Sequence, residues 1–258
     1  FENVAGSLDI EFVLAKRDPD GQTTNGIVRL NGGRSSWSMN DNYPLKSLSY
    51  WPAEEYMNIW VCNLTDGHAG YAQFPESDLE GMENSSTNRL TDGIVIWHRA
   101  FGSSDDGDFS LDPAFNKGRT VTHETGHFFG LNHIWGDDTG CNNSDFVADT
   151  PNQAGNTNGC PVHPRTDTCG EVIMFQNYLD YTNDDCMNLF TQGQVDRMSI
   201  VIENSPRRKS LLTSPGLQEP DPLPDDVGIR SIVFPDASVC SNTITPIIAL
   251  RNFGNNTI

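Results

Sequence analysis

The chain contains no long hydrophobic run and few basic residues. No stretch of its 258 residues approaches the roughly 20 apolar residues that a membrane-spanning helix needs, so we expect no membrane span. Lysine and arginine together number 16 against 35 acidic residues, which gives a formal net charge of -19. A surface of that sign repels phosphate, so we expect neither nucleic acid nor an anionic membrane as a partner.

The first residue is Phe1 rather than an initiator methionine, and the N-terminal residues show no signal-peptide pattern. We expect a processed start, from which an upstream signal and a propeptide have been removed. The protein would then be secreted, and its own propeptide would act as its inhibitor.

Cysteine is sparse over most of the chain but concentrated after residue 140. Four of the six cysteines fall in a loop-rich stretch with little apolar content, where disulfides substitute for a core. These four are Cys141, Cys160, Cys169 and Cys186. Four cysteines allow three pairings, and their spacing selects none of them. Cys62 lies in an apolar run and is predicted to be a buried free thiol, and Cys240 has no evident partner.

The residues from His123 to His133 read H-E-x-x-H-x-x-G-x-x-H. On a helix, His123 and His127 are one turn apart and project from the same face. Gly130 can adopt a backbone conformation closed to other residues, which ends the helix and lets the chain bring back His133. Three imidazoles leave one position of a zinc ion open for water, as in catalytic sites. Glu124 is placed to reach that water without binding the metal.

Apolar patterning predicts a mixture of strands and helices. Residues 7–14 alternate apolar and polar side chains, and residues 56–62 and 93–99 are rich in β-branched and aromatic types, so all three are predicted strands. The zinc helix is predicted to begin near residues 118–121 and to end at Gly130. Residues 136–176 are predicted to be irregular.

A second helix is predicted after Thr191, where Thr191 and Gln194 fit a capping box. Its inward positions would be Val195, Met198 and Ile202.

The C-terminal part has a different composition. Residues 215–226 are rich in proline and acids and are predicted to form a linker. Residues 227–234 and 244–251 then resemble two strands, too few for a stable sandwich. We expect residues 227–258 to be the truncated start of a β-sandwich module.

Beyond the zinc motif, several segments resemble the pappalysin family of metzincin metallopeptidases. They read K-R-D-P-D-G from Lys16, I-W-V-C-N-L from Ile59, V-A-D-T-P from Val147 and N-Y-L-D-Y from Asn177. The resemblance implies an α+β catalytic domain over residues 1–214, with a twisted, mostly parallel sheet and zinc helix in an upper half to about residue 133. An irregular lower half would follow from residue 134.

The same resemblance implies roles for individual residues. Glu124 would be the general base and then the acid, and Tyr181 would hydrogen-bond the tetrahedral intermediate. The family places a methionine beneath the metal, and here that position is Leu179. Substrate would add to an edge strand at Gly93–Arg99. The residues of this strand expected to bind substrate are Gly93, Ile94, Val95 and Ile96.

Specificity, disulfides and calcium are implied in the same way. Asp185 would lie at the base of the pocket for the residue after the cut and select arginine or lysine. The disulfides would be Cys141–Cys169 and Cys160–Cys186. One calcium ion would be held by Asp145, the Val147 carbonyl, Asp149 and Thr150, and Asp137 and Asp167 are candidates for a second.

The sequence therefore predicts a secreted zinc endopeptidase that cuts proteins or peptides before arginine or lysine. One alternative is a zinc-binding adhesin-type or pseudo-peptidase module without turnover. Glu124 argues against it, because an inactive relative would usually have lost this residue. A hydrolase of non-peptide amides is a second alternative, and a long cleft-side edge strand would argue against that one.

Overall fold

A computed structural model describes residues 1–83, 85–221, 224–234, 243, 245–254 and 256. It confirms the α+β class. The α-helices of this part are α1 (Asn42–Lys46), α2 (Arg119–Phe128), α3 (Gln192–Asn204) and α4 (Pro206–Lys209). The strands are β1 (Ile59–Cys62), β2 (Gly70–Ala72), β3 (Ile94–Trp97), β4 (Asn158–Gly159), β5 (Tyr181–Thr182), β6 (Val227–Phe234) and β7 (Ile247–Asn252).

A three-stranded sheet in the order β1-β3-β2 supports the zinc motif. Strand β1 is parallel to β3, whereas β2 is antiparallel to it, so the sheet is mixed rather than mostly parallel. The interpretation of Gly93–Arg99 as an edge strand is wrong. Strand β3 is hydrogen-bonded on both sides, the side chains of Ile94, Val95 and Ile96 are fully buried, and the strand ends in a 3-10 turn at His98–Ala100.

Helix α2 lies against this sheet through a shared hydrophobic core. Ile94 and Ile96 belong to the same buried cluster as Phe128, Leu131 and Met198. Full burial of such a side chain contributes about 1.5–3 kcal/mol, so the cluster holds the helix firmly on the sheet. The zinc motif is therefore on a rigid support.

The two ends of α2 follow the predicted pattern. Gly118 precedes the helix with a φ of 74°, and Gly130 follows it with a φ of 86°, both in the left-handed region that favours glycine. At the start, the Asp184 carboxylate accepts hydrogen bonds from the Lys117 and Arg119 amides at 2.8 and 3.1 Å. A carboxylate at that end satisfies free N–H groups and interacts favourably with the helix dipole.

Helix α3 begins as predicted. The Thr191 side chain accepts from the Gln194 amide, and the Gln194 side chain accepts from the Thr191 amide, which forms a complete capping box. Val195, Met198 and Ile202 are buried.

Two arginines join the C-terminal helices to the end of the zinc helix. Arg208 donates to the Phe128 carbonyl at 2.7 Å, and Arg197 donates to the Gly130 carbonyl at 2.8 Å. Arg208 also forms a two-pronged ion pair with the fully buried Asp92, which Arg207 contacts as well. These bonds satisfy carbonyls that the end of a helix leaves without partners.

The predicted strand at residues 7–14 is wrong. Leu8 and Ile10 do pack against the main core, but their backbone pairs with no strand of the described chain. Phe12, Val13 and Leu14 are exposed. Alternation indicates which side chains can pack on a core, and at Leu8 and Ile10 that packing occurs without the sheet hydrogen bonds that define a strand. The strands predicted at residues 56–62 and 93–99 exist but are shorter.

The segment after the zinc motif is irregular, as predicted, and disulfides hold it. Both implied pairings are confirmed, Cys141 with Cys169 and Cys160 with Cys186. Cys62 is a free thiol but only half-buried, and burial raises its pKa to about 11.

The first residues of the predicted linker pack on the domain. Pro215–Leu217 form a 3-10 turn in which Gly216 lies against the Tyr56 ring. Beyond it, β6 and β7 form an antiparallel ribbon that begins at Val227, as predicted, whereas β7 runs from Ile247 rather than residue 244. Residue 244 and Cys240 lie outside the described residues. No helix in the described part is long and apolar enough to cross a membrane.

Candidate metal centre

Three histidines converge at the C-terminal end of α2. The Nε2 atom of His127 lies 3.1 Å from those of His123 and His133, and the latter two are 3.2 Å apart. Nitrogens bound at about 2.0–2.1 Å to a tetrahedral zinc ion are roughly 3.3–3.4 Å apart, so the spacing fits that ion. Within the described chain, these residues form the one cluster of His, Cys, Asp or Glu suited to a metal. The predicted ligand set is thereby brought together.

The other ring nitrogen of each histidine has an acceptor. His123 Nδ1 lies 2.7 Å from the Tyr178 carbonyl, and His127 Nδ1 lies 2.7 Å from the Leu131 carbonyl. His133 Nδ1 contacts the Asp137 carboxylate. Because these oxygens accept a hydrogen bond from Nδ1–H, they favour the tautomer whose Nε2 lone pair can bind a metal.

Burial keeps the helical pair of ligands neutral. It lowers the pKa of His123 to about 3, with the neighbouring His133 as a second cause. Burial also holds the pKa of His127 well below its usual value, and the other two imidazoles act in the same direction. A histidine must be neutral to bind a metal, so both are ready to do so at neutral pH.

Glu124 is buried beside the cluster and is incompletely hydrogen-bonded. Its Oε2 atom has no hydrogen-bond partner among the described residues. Burial raises its pKa to about 8, an effect that the positive charge of Lys46 opposes. An unpaired oxygen on a buried carboxyl with a pKa near neutrality suits a group that takes up and releases a proton.

Lys46 supplies a buried positive charge near Glu124. Its ammonium donates to the Thr91 carbonyl at 2.7 Å and lies 5.2 and 5.1 Å from the ring centroids of Trp60 and Tyr71. Burial lowers its pKa to about 8, whereas Asp92 and Glu124 oppose that shift. The charge is thus stabilised by the aromatic rings and by nearby carboxyl groups.

Leu179, the residue at the position where the family has a methionine, packs against the zinc-motif helix α2. It is fully buried, and a Cβ added to Gly126 of α2 would come within 2.9 Å of Leu179 Cδ2. The turn that carries it is held by Asn177, whose Oδ1 accepts a hydrogen bond from the Leu179 amide at 2.9 Å. Asn177 also exchanges two amide hydrogen bonds with Gln194 of α3, at 2.7 and 3.1 Å.

Tyr181 lies at the rim of the metal cluster. Its ring centroid is 4.8 Å from that of His133 and 5.7 Å from that of His123, and the side chain is partly exposed. Burial raises its pKa to about 12, and the charges of Glu124, Asp137 and Asp180 act in the same direction. The phenol therefore keeps its proton at neutral pH and can donate a hydrogen bond.

Two adjacent aspartates have different environments. Asp184 is buried at the start of α2, and burial raises its pKa. Asp185 is exposed, and it lies in a 3-10 turn that the disulfide between Cys160 and Cys186 ties to the irregular segment.

The predicted calcium residues are divided between two environments. The Asp145 carboxylate, the Val147 carbonyl and the Thr150 hydroxyl are grouped, with the hydroxyl oxygen 2.9 Å from each acceptor. Asp149 instead accepts from Thr191 Oγ1 at 2.6 Å and from the Gly193 amide at 2.9 Å, at the start of α3. Burial raises the pKa of Asp145 to about 6.

The residues suggested for a second ion do not share a site. The Asp167 carboxylate accepts from the Ala154 and Cys169 amides at 2.6 and 2.8 Å, whereas Asp137 is engaged by His133.

Sequence reasoning missed three residues of the site, Lys46, Gly70 and Asp184, and assigned a fourth, Asp137, to calcium instead of to His133. Lys46 and Gly70 lie in segments without a motif, and only the fold places them near Glu124. In the sequence, Asp184 precedes the predicted pocket residue Asp185, and Asp137 follows the predicted ligand His133. No sequence pattern showed that one of them caps α2 and the other contacts His133.

A family model described as pregnancy-associated plasma protein-A, peptidase family M43, matches residues 45–203. The chain belongs to this family, the pappalysins. The match covers the whole metal centre, from β1 through α2 to α3.

Solved and curated relatives agree. The chain is 45% identical to mature mirolysin of Tannerella forsythia in complex with a cleaved peptide, with a TM-score of 0.74, over 86% of this chain and 81% of that one. A mutant promirolysin of the same organism is 44% identical, with a TM-score of 0.74 and coverage of 86% and 71%. An extracellular metalloprotease of Arthroderma otae is 33% identical over 183 residues, covering 70% of this chain and 64% of that protein.

An extracellular metalloprotease of Arthroderma benhamiae is 34% identical over 167 residues, covering 64% of this chain and 58% of that protein. The pappalysin chain thus spans less than two thirds of the length of these curated relatives.

Proposed function

We propose that the chain is a zinc-dependent endopeptidase in which Glu124 moves the protons of peptide hydrolysis. The observation that carries this proposal is the convergence of three Nε2 atoms beside a buried carboxyl oxygen that lacks a partner. A zinc ion held by the three histidines would polarise the scissile carbonyl and acidify a water molecule. Glu124 would accept a proton from that water and later donate it to the leaving amine.

Tyr181 would stabilise the transition state. Its phenol is protonated at neutral pH and lies beside His133 and His123, where it can donate to the oxygen that becomes negative as the carbonyl is attacked.

The substrate peptide would add to the sheet at β2. This strand lies at the edge of the sheet, and Gly70 at its start is next to Glu124. An extended peptide can therefore pair with β2 and pass directly over the base. Pairing with a strand needs a peptide backbone, so this mode of binding favours a peptide substrate over a small non-peptide amide.

Asp185 would favour cleavage before arginine or lysine. It is exposed, so it can meet a substrate guanidinium or ammonium group through a charge-assisted bond. The disulfide at Cys186 would keep the carboxylate in place. The Asp185→Ala variant should still cleave peptides but should lose the preference for arginine or lysine after the cut. An unchanged cleavage profile in that variant would contradict the assignment.

A calcium ion would bind at Asp145, the Val147 carbonyl and Thr150, with Asp149 joining this loop to α3. The Thr150 hydroxyl has one proton to share among three oxygens at 2.9 Å, so the group has an excess of oxygen lone pairs. Such a group suits a hard cation.

We also propose that the protein is secreted and held inactive by a propeptide. Relatives are named extracellular metalloproteases, and one solved relative is a proenzyme. The disulfides fit an oxidising compartment.

The activity is tested by digesting a proteome-derived peptide mixture with and without a zinc chelator, and with Glu124→Gln. The variant keeps all three metal ligands, so it should bind zinc but lose cleavage. Chelator-sensitive cuts by the wild type alone would support the endopeptidase. Absence of such cuts with zinc bound would favour the non-catalytic binding module.

A further inference from the structure

The three metal ligands differ in what orients them. The Nδ1 atoms of His123 and His127 both face backbone carbonyls. The carbonyl at His123 belongs to the turn at Tyr178, and the carbonyl at His127 belongs to the turn after α2. The Nδ1 atom of His133 faces a side chain, the carboxylate of Asp137. His133 is therefore the ligand whose orientation depends on another residue's side chain.

An unusual turn brings Asp137 next to this ring. Gly136 and Asp137 both have positive φ angles, 70° and 63°, and the Gly136 amide donates to the His133 carbonyl at 2.9 Å. Few residues other than glycine adopt that conformation, and aspartate and asparagine are among them. A Cβ at Gly136 would lie 2.8 Å from Asn143 Cβ and from the Ser144 amide, so the turn is closely packed.

The remaining contacts of the ring do not distinguish its two nitrogens. His133 stacks on Trp135 with centroids 4.3 Å apart and planes at 11°, and it meets Tyr181 edge-on at 4.8 Å. Stacking fixes the plane of an imidazole but not which nitrogen faces the other ligands. A carboxylate at Nδ1 does fix this, because it accepts a hydrogen bond from Nδ1–H and leaves the Nε2 lone pair free.

We propose that Asp137 is a positioning residue that holds His133 with Nε2 toward the metal and thereby sets the affinity of the site for zinc. The negative charge of the carboxylate behind the ring also strengthens the bond between the ring and a cation. The inference rests on zinc binding by the three histidines but not on peptide cleavage. It is therefore tested without a peptide substrate.

The experiment compares the zinc dissociation constants of variants by competition with a chromophoric chelator, without substrate. Asp137→Gly keeps the left-handed backbone but removes the carboxylate, and should weaken binding about 10- to 100-fold. Asp137→Asn keeps the backbone and an acceptor but removes the charge, so its loss should be smaller. Asp138→Gly and Asp138→Asn make the same side-chain changes at the neighbouring exposed acid and should bind zinc as the wild type does.

A second readout separates orientation from folding. The cobalt-substituted protein should show an altered visible absorption spectrum in Asp137→Gly but not in Asp138→Gly, because the spectrum reports ligand geometry. The Tm of the zinc-free protein should be the same for both. A zinc dissociation constant of Asp137→Gly within twofold of the wild type would overturn the proposal. So would an equal loss in Asp138→Gly, or a wild-type cobalt spectrum in Asp137→Gly.

Discussion

Gly70 of β2 lies directly against Glu124: a Cβ at Gly70 would be 2.9 Å from both Cγ and Oε1 of that side chain. The backbone φ of Gly70 is one that other residues adopt, so space rather than conformation requires glycine here. The same Cβ would lie 3.0 Å from the Val95 carbonyl, which cannot move away because β3 is paired on both sides. The displaced group would therefore be Glu124.

Gly70→Ala should lower kcat by up to roughly 100-fold, because a misplacement of about 1 Å is enough for such a loss. Zinc content should be unchanged, since the three atoms nearest to the new methyl group belong to Glu124 and Val95 and not to a histidine of the metal cluster. The measurement is steady-state cleavage of a peptide together with metal analysis. Gly155→Ala is the matched control, because nothing lies within 4 Å of its added Cβ. Wild-type kcat in Gly70→Ala would show that Glu124 can adapt.

Two substitutions at Leu179 test whether the volume of this side chain matters, or the absence of the sulfur that a methionine would have. Leu179→Met restores the residue usual in the family and keeps the volume, so the free energy of unfolding should change by less than about 1.5 kcal/mol. Leu179→Ala leaves a cavity under α2 and should destabilise the protein by about 2–5 kcal/mol. Urea denaturation measures both. A large gain in kcat for Leu179→Met would mean that the thioether itself matters.

The buried Asp92 should be a major determinant of stability. Asp92→Asn removes the charge that balances Arg208, whose side chain is 1% exposed, and should destabilise the protein by about 3–5 kcal/mol. The control is Glu76→Gln, which removes an exposed partner of Arg207 and should change stability by less than about 1 kcal/mol. Equal urea midpoints for the two variants would contradict this account.

Calcium should stabilise the protein more at pH 7 than at pH 5. In the calcium-free protein, burial raises the pKa of Asp145 from 3.8 to about 6. Folding therefore favours the protonated carboxyl, and its contribution to stability is complete below pH 3.8 and lost as the pH rises through 6. A bound cation stabilises the ionised form and offsets that loss.

At 100 times its dissociation constant, calcium should add about 2.7 kcal/mol, a Tm increase of roughly 5–10 °C. Calorimetry at both pH values checks this, and Asp145→Asn should abolish most of the increase. An equal increase at pH 5 and pH 7, or in the variant, would exclude Asp145 as a ligand.

Local patterns were sufficient for the parts of the molecule that local physics determines. The three metal ligands follow from i, i+4 spacing on a helix and from a glycine that ends it. The start of α3 follows from the capping box at Thr191. The disulfide pairings required more than spacing, and came from resemblance to a family.

The tertiary structure alone decided which strand is at the edge of the sheet. An apolar run such as residues 94–97 has the same composition whether one or both of its sides are paired, so the sequence does not distinguish β3 from an edge strand. For the same reason, residues 7–14 show strand alternation without a partner strand. Gly70 beside Glu124, Asp184 at α2 and Asp145 apart from Asp149 result from long-range packing. Spacing along the chain determines which side chains share a face, whereas packing between distant segments determines which of them meet.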